Sequence, residues 1–113
     1  MYIENTLEIL LKETHTGLKK IFGEKLENVI LYGSYARGDY DSESDIDVMA
    51  LVDLDKNELA KYRRTVSDFA SDIDLKYDVL LSLKLQDKFT FEKYGDVLPY
   101  YMNVAREGVY LRA

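Results

Sequence analysis

A chain of 113 residues can bury one hydrophobic core but not two. With 47% apolar residues and a single proline it reads as one globular domain, residues 1–113, without a linker or low-complexity stretch. The absence of cysteine excludes disulfides and thiolate metal sites and is compatible with the cytoplasm. The net charge of −6 argues against a broad nucleic-acid footprint, because phosphate binding needs clustered Lys and Arg, and the clusters present, Lys19-Lys20 and Lys61 to Arg64, read as solvated helix faces.

The opening segment, MYIENTLEILLKETHTG, mixes acids with apolar residues and reads as neither a signal peptide nor a membrane span, so a soluble, cytoplasmic protein is expected. Ile3, Leu7, Leu10, Leu11, Thr14, Leu18, Ile21 and Phe22 recur three or four apart and predict a helix ending near Gly23. His15, the only histidine, sits on that helix and reads as structural or exposed. Asn28 to Tyr32 is a short apolar run closed by Gly33, a buried strand, and a second strand is expected from Asp45 to Val52. Asp55 and Glu58 have capping-box spacing, and Leu59, Tyr62, Val66, Phe69, Ala70 and Ile73 continue one long helical stripe behind them. Leu75 to Leu81, LKYDVLL, reads as a third strand, residues 82–96 as strand, loop or helix, and Val97 to Glu107 as a last helix stopped by Gly108 before a short VYL end. Helices alternating with strands predict an α+β domain, a small mixed sheet flanked by helices.

The chemistry concentrates between Leu31 and Asp53, LYGSYARGDYDSESDIDVMALVD. Side chains two apart on a strand share a face, so Asp45 and Asp47 project together while Ile46 and Val48 point into the core. Like charges side by side are costly unless a cation lies between them, and a hard divalent cation such as magnesium favours these ligands. Asp78, expected in the middle of the third strand, would stand about 4.8 Å away if that strand neighbours the second, and three such carboxylates can hold two cations. A calcium loop on Asp39, Asp41 and Glu43 fails, because its sixth position is Ser44 where glycine is required and its twelfth is Ala50 where glutamate belongs. Gly33-Ser34 at a strand end permits a tight turn that presents backbone N–H groups to phosphate. Arg37, in the same turn, can pair with phosphate or with a neighbouring acid. No Gly-Lys-Ser/Thr follows, so this is not a Walker loop.

Gly33-Ser34, ten intervening residues and Asp45-Ile46-Asp47 resemble the signature of the DNA polymerase β-like nucleotidyltransferases, and GSYARG followed by SDIDVM is similar to the minimal nucleotidyltransferase branch, of the kind that serves as the MntA-type antitoxin of HEPN/MNT pairs. The resemblance runs from the first helix to the closing NVAREGVYL and is looser after Ser82. It implies a polymerase β-like fold, with two magnesium ions (or manganese) on Asp45 and Asp47, Asp78 completing the site and helping to activate the acceptor hydroxyl, and Gly33 and Ser34 holding the phosphates of ATP; Arg37 is a further nucleotide-binding candidate from its place in the turn. The resemblance further implies transfer of AMP to a tyrosine of a HEPN-family ribonuclease toxin, with the acceptor site supplied by the partner. The alternatives are a non-catalytic antitoxin that neutralises by contact, and a nucleotidyltransferase acting on a small molecule or RNA end. A homo- or hetero-oligomer is compatible with ten tyrosines, of which Tyr94, Tyr100, Tyr101 and Tyr110 are interface candidates.

Overall fold

A computed structural model describes residues 2–111, with side chains from Thr6 onward; Ile3 of the first helical stripe therefore lies outside the side chains described. The elements in chain order are α1 (Tyr2–Phe22), a 3-10 turn (Gly23–Lys25), β1 (Leu26–Tyr32), α2 (Ser34–Arg37), β2 (Ile46–Val52), α3 (Lys56–Ala60), α4 (Arg63–Tyr77), β3 (Leu81–Asp87), α5 (Lys88–Tyr94), α6 (Pro99–Glu107) and β4 (Val109–Tyr110). The strands form one mixed sheet in the order β3-β2-β1-β4, with β2 antiparallel to β1 and parallel to β3. No described helix is long and apolar enough to cross a membrane.

The period of two along β2 divides the molecule into two layers. Ile46, Val48, Ala50 and Val52 join Leu10, Leu18, Val66 and Ile73 in a core beneath α1 and α4. Met49 and Leu51 turn to the other face and meet Ile30, Phe91 and Val104 under α5 and α6. On α1 the one polar residue of the stripe, Thr14, is buried, and its hydroxyl donates to the Leu10 carbonyl at 2.7 Å. Gly17 lets α4 approach closely, since a Cβ there would overlap the Phe69 ring.

Two expectations are corrected. The single helix behind Asp55 is two helices. Asp55 caps α3 by accepting from the Glu58 N–H at 2.8 Å, but Lys61 and Tyr62 close back on Glu58 and Leu59 before α4 begins. The third strand is Leu81–Asp87, not Leu75–Leu81. Leu75, Lys76 and Tyr77 remain helical, because Tyr77 lies four residues after the buried Ile73 on the same face, and its hydroxyl bonds Glu13 on α1. The ambiguous stretch from Ser82 resolves into β3 and α5, with Asp87 capping α5 through the Thr90 N–H at 2.8 Å.

The layer over the second face depends on Gly108, where α6 stops and the chain turns into β4 beside β1. A Cβ at Gly108 would overlap the Val104 carbonyl and the Ile30 side chain. Gly108→Ala is therefore expected to lower unfolding free energy by about 2 kcal/mol in urea titrations.

Candidate functional site

β1 delivers the chain to Gly33 at φ 74° and ψ −154°, outside the regions open to side-chain-bearing residues. From there α2 makes one turn, in which the N–H groups of Ala36 and Arg37 both reach the Gly33 carbonyl at 3.1 Å. Those of Ser34 and Tyr35 stand ahead of the first hydrogen bond and have no acceptor within the helix. The turn ends at Gly38, φ 85°, whose N–H bonds the Ser34 carbonyl at 2.9 Å.

Across the antiparallel pair, Tyr32 is the register partner of Asp47, so Gly33 lies against the Asp47 carboxylate, and a Cβ at Gly33 would overlap Asp47 Oδ2. Asp47 is half-buried and Asp45 exposed at the mouth of the strand. Burial first, and then the charge of Asp45, push the Asp47 carboxyl above the usual range, against the opposing pull of Lys84, Ser82 and Arg37. Ser82 and Lys84 belong to β3: Ser82 is the parallel register partner of Asp47, and Lys84 follows two residues on, toward the same face. Neither is among the candidates the sequence marks, although the alternation LSLKLQ, polar at every second position, is the strand signal that carries them.

Arg37 makes ion pairs with acids: Nε lies 3.2 Å from Asp39 Oδ2, and Nη1 lies 3.4 Å from Glu107 Oε1 at the end of α6. The same helix supplies Tyr100, whose hydroxyl is 3.0 Å from that of Tyr32, with the rings edge to face at 6.1 Å. Burial, and then the Tyr100 contact, raise the Tyr32 phenol well above its ordinary range, so it stays protonated. Tyr32, Gly33, Arg37, Tyr100, Asn103 and Glu107 line a cavity of about 370 Å³ beside the turn. Of the tyrosines read as interface candidates, Tyr101 is half-buried, its ring edge-on to Phe91 and its hydroxyl bonded to Gln86, whereas Tyr100 and Tyr110 are exposed.

The structure brings Gly33, Ser34, Arg37, Asp45 and Asp47 together and leaves Asp78 apart. Asp78 is the C-cap of α4, in the left-handed conformation at φ 53° and ψ 53°, and is not on a strand. Asp is among the few non-glycine residues that tolerate this conformation. It lines a second cavity with Leu10, Tyr35, Tyr77 and Ile46, and Ile46 points to the sheet face opposite Asp47. Among the described residues no group of three or more acids or histidines is placed to hold one metal ion. The pair Asp45–Asp47 suits magnesium, which takes one or two carboxylates and completes its shell with phosphate oxygens and water.

The model of the nucleotidyltransferase domain family matches residues 11–106. In sequence, the chain is similar to a Methanocaldococcus jannaschii protein named "Putative protein adenylyltransferase MJ0141", at 45% identity over 73 residues that span 65% of this chain and 72% of that one. It is also similar to "Putative protein adenylyltransferase MJ0604" of the same organism, at 34% identity over 101 residues, 89% of this chain and 93% of the relative. Among solved structures, one described as a toxin-antitoxin with AMP-PNP superposes with a TM-score of 0.51 at 21% identity, over 89% of this chain and 72% of that chain, a likeness of fold.

Two measurements probe the geometry. Gly33→Ala places a side chain at positive φ and against Asp47 Oδ2, and is expected to reduce stability by about 1–3 kcal/mol in urea unfolding. Asp47→Asn should act the other way. A carboxyl whose folded pKa lies above its unfolded value loses stability as pH rises between the two, so the penalty stands in full at pH 7. The variant should unfold at higher denaturant concentration than the parent at pH 7, and the difference should shrink as pH falls to the ordinary aspartate range.

Proposed function

The chain belongs to the nucleotidyltransferase domain family, and on that premise we propose that it is a magnesium-dependent protein adenylyltransferase. In this reading it is the antitoxin of a toxin–antitoxin pair and inactivates a HEPN-family ribonuclease by moving AMP from ATP to a tyrosine hydroxyl. The observation that carries the reading is Asp47 on the sheet face, with the Asp45 charge beside it at the mouth of β2 and the Gly33-Ser34 turn pressed against it. The protein adenylyltransferase names of two relatives support a protein acceptor, and the chain's negative charge fits a protein better than a nucleic acid.

Each residue has a separable task. The N–H groups of Ser34 and Tyr35 bind phosphate at the α2 turn, where the missing Cβ of Gly33 allows close approach. Asp45 and Asp47 would hold the magnesium, which when bound neutralises phosphate charge and makes the α-phosphorus more electrophilic. The pair accounts for one such ion; a second would need ligands beyond these two carboxylates. The tyrosine oxygen forms a bond to the α-phosphorus as the bond to the bridging oxygen breaks, and pyrophosphate leaves. With Asp78 facing the other side of the sheet, acceptance of the phenolic proton falls to the Asp45–Asp47 pair.

Catalytic amounts of the protein, with ATP and magnesium, should raise the mass of a HEPN-family partner by one or more AMP units and leave its ribonuclease suppressed after the two are separated. Asp47→Asn should abolish the mass change, and Asp78→Asn should preserve it. Suppression that needs stoichiometric protein, ignores ATP and reverses on dissociation would replace the enzyme with a binding module. Loss of transfer in a folded Asp78→Asn protein would return that residue to the reaction.

A further inference from the structure

The cavity beside the Gly33 turn contains a conflict of charge. Its one cationic side chain, Arg37, shares the wall with Gly33, where the nucleotide phosphates rest in the proposed function. Its one carboxylate, Glu107, comes from the last residue of α6 and faces Arg37 Nη1 at 3.4 Å. Both side chains are substantially exposed, at 45% and 36%, so this pair belongs to the class that contributes little to stability and exchanges partners readily. A terminal phosphate is the better partner for this guanidinium, because it carries more charge than a carboxylate and can accept two parallel hydrogen bonds where Glu107 accepts one, at 3.4 Å. The second contact of Arg37, from Nε to Asp39, lies on the neighbouring residue pair and outside the cavity wall, so it can persist while the Nη groups turn to a new acceptor.

We propose that Glu107 and the terminal phosphates of the nucleotide compete for Arg37, making Glu107 an internal brake on triphosphate binding. The inference rests on the adenylyltransferase reading and deepens it. In this competition a nucleoside triphosphate takes Arg37 Nη1 at the expense of Glu107, whereas a monophosphate, lacking the outer phosphates, leaves the pair undisturbed. The displaced carboxylate belongs to the helix that also carries Tyr100 against Tyr32, so occupation of the turn loosens the tie of α6 to α2 while that to β1 through Tyr32 remains.

The test is a double-mutant cycle read by displacement of a fluorescent ATP analogue, in magnesium, by ATP and by AMP. Glu107→Gln should tighten ATP about fivefold or more and leave AMP within twofold of the parent. Arg37→Met should weaken ATP, and adding Glu107→Gln to it should bring no further gain. Equal tightening in the Arg37→Met background would mean that Glu107 merely repels phosphate, and an unchanged ATP affinity in Glu107→Gln would mean that no competition exists; either overturns the proposal. Both residues are exposed, so the variants should fold, and thermal unfolding checks this. ATP binding that survives chelation of the metal and Asp47→Asn would instead sink the adenylyltransferase reading itself, independently of the Glu107 result.

Discussion

The antiparallel pairing of β1 and β2 sets Tyr32 opposite Asp47, and most of what the molecule can do follows from that register. Side chains alternate along β2, so a slip of one residue would drive Asp47 into the apolar layer that now contains Ile46 and Val48, with no partner there for its charge. The apolar residues thus enforce the placement of the acids. The same pairing carries Gly33 to the side of Asp47, where only a residue without a side chain fits. The Gly33-Ser34 turn and the carboxylate pair are therefore a single geometric unit, positioned by hydrophobic burial several residues away.

β3 adds to this unit through its parallel register, which supplies Ser82 and Lys84 to the face of Asp47. A parallel neighbour requires a crossover, and here it consists of α3 and α4. The return from α4 into β3 is the narrow point. Asp78 takes the left-handed cap, Val79 closes on Asp74 through its N–H at 3.2 Å, and the Asp74 carboxylate receives the Leu81 N–H at 2.7 Å. Two acids thus help to set the chain direction here.

Much of the candidate site was legible because its residues are neighbours in sequence. Gly33, Ser34, Arg37, Asp45 and Asp47 fall within fifteen positions, and strand alternation alone sorts the acids from the core. Asp78 shows where such reading fails. LKYDVLL is apolar enough for a strand, yet Tyr77 continues the stripe of Ile73, and only the tertiary contact with Glu13 decides for helix. An aspartate that caps a helix is indistinguishable in sequence from one that interrupts a strand. The break at Lys61 and Tyr62 has no Gly or Pro to mark it either, and it coincides with the packing of the Tyr62 ring on Phe22, centroids 4.8 Å apart. Arg37 could be read both ways from sequence, because its partner Glu107 lies seventy residues on.

The two layers on either side of the sheet are unequal: among the described residues, fourteen buried side chains make up the cluster under α1 and α4, and five the cluster under α5 and α6. Resistance to local opening scales with such burial, so the thinner layer is the first to detach in sub-global fluctuations. Its α6 borders the Gly33 turn and carries exposed Tyr100, so access to the turn and presentation of that aromatic surface share one cooperative unit. Amide hydrogens of α6 would then exchange with solvent ahead of those of α4, while the register that carries the two aspartates, anchored in the thicker layer, stays closed.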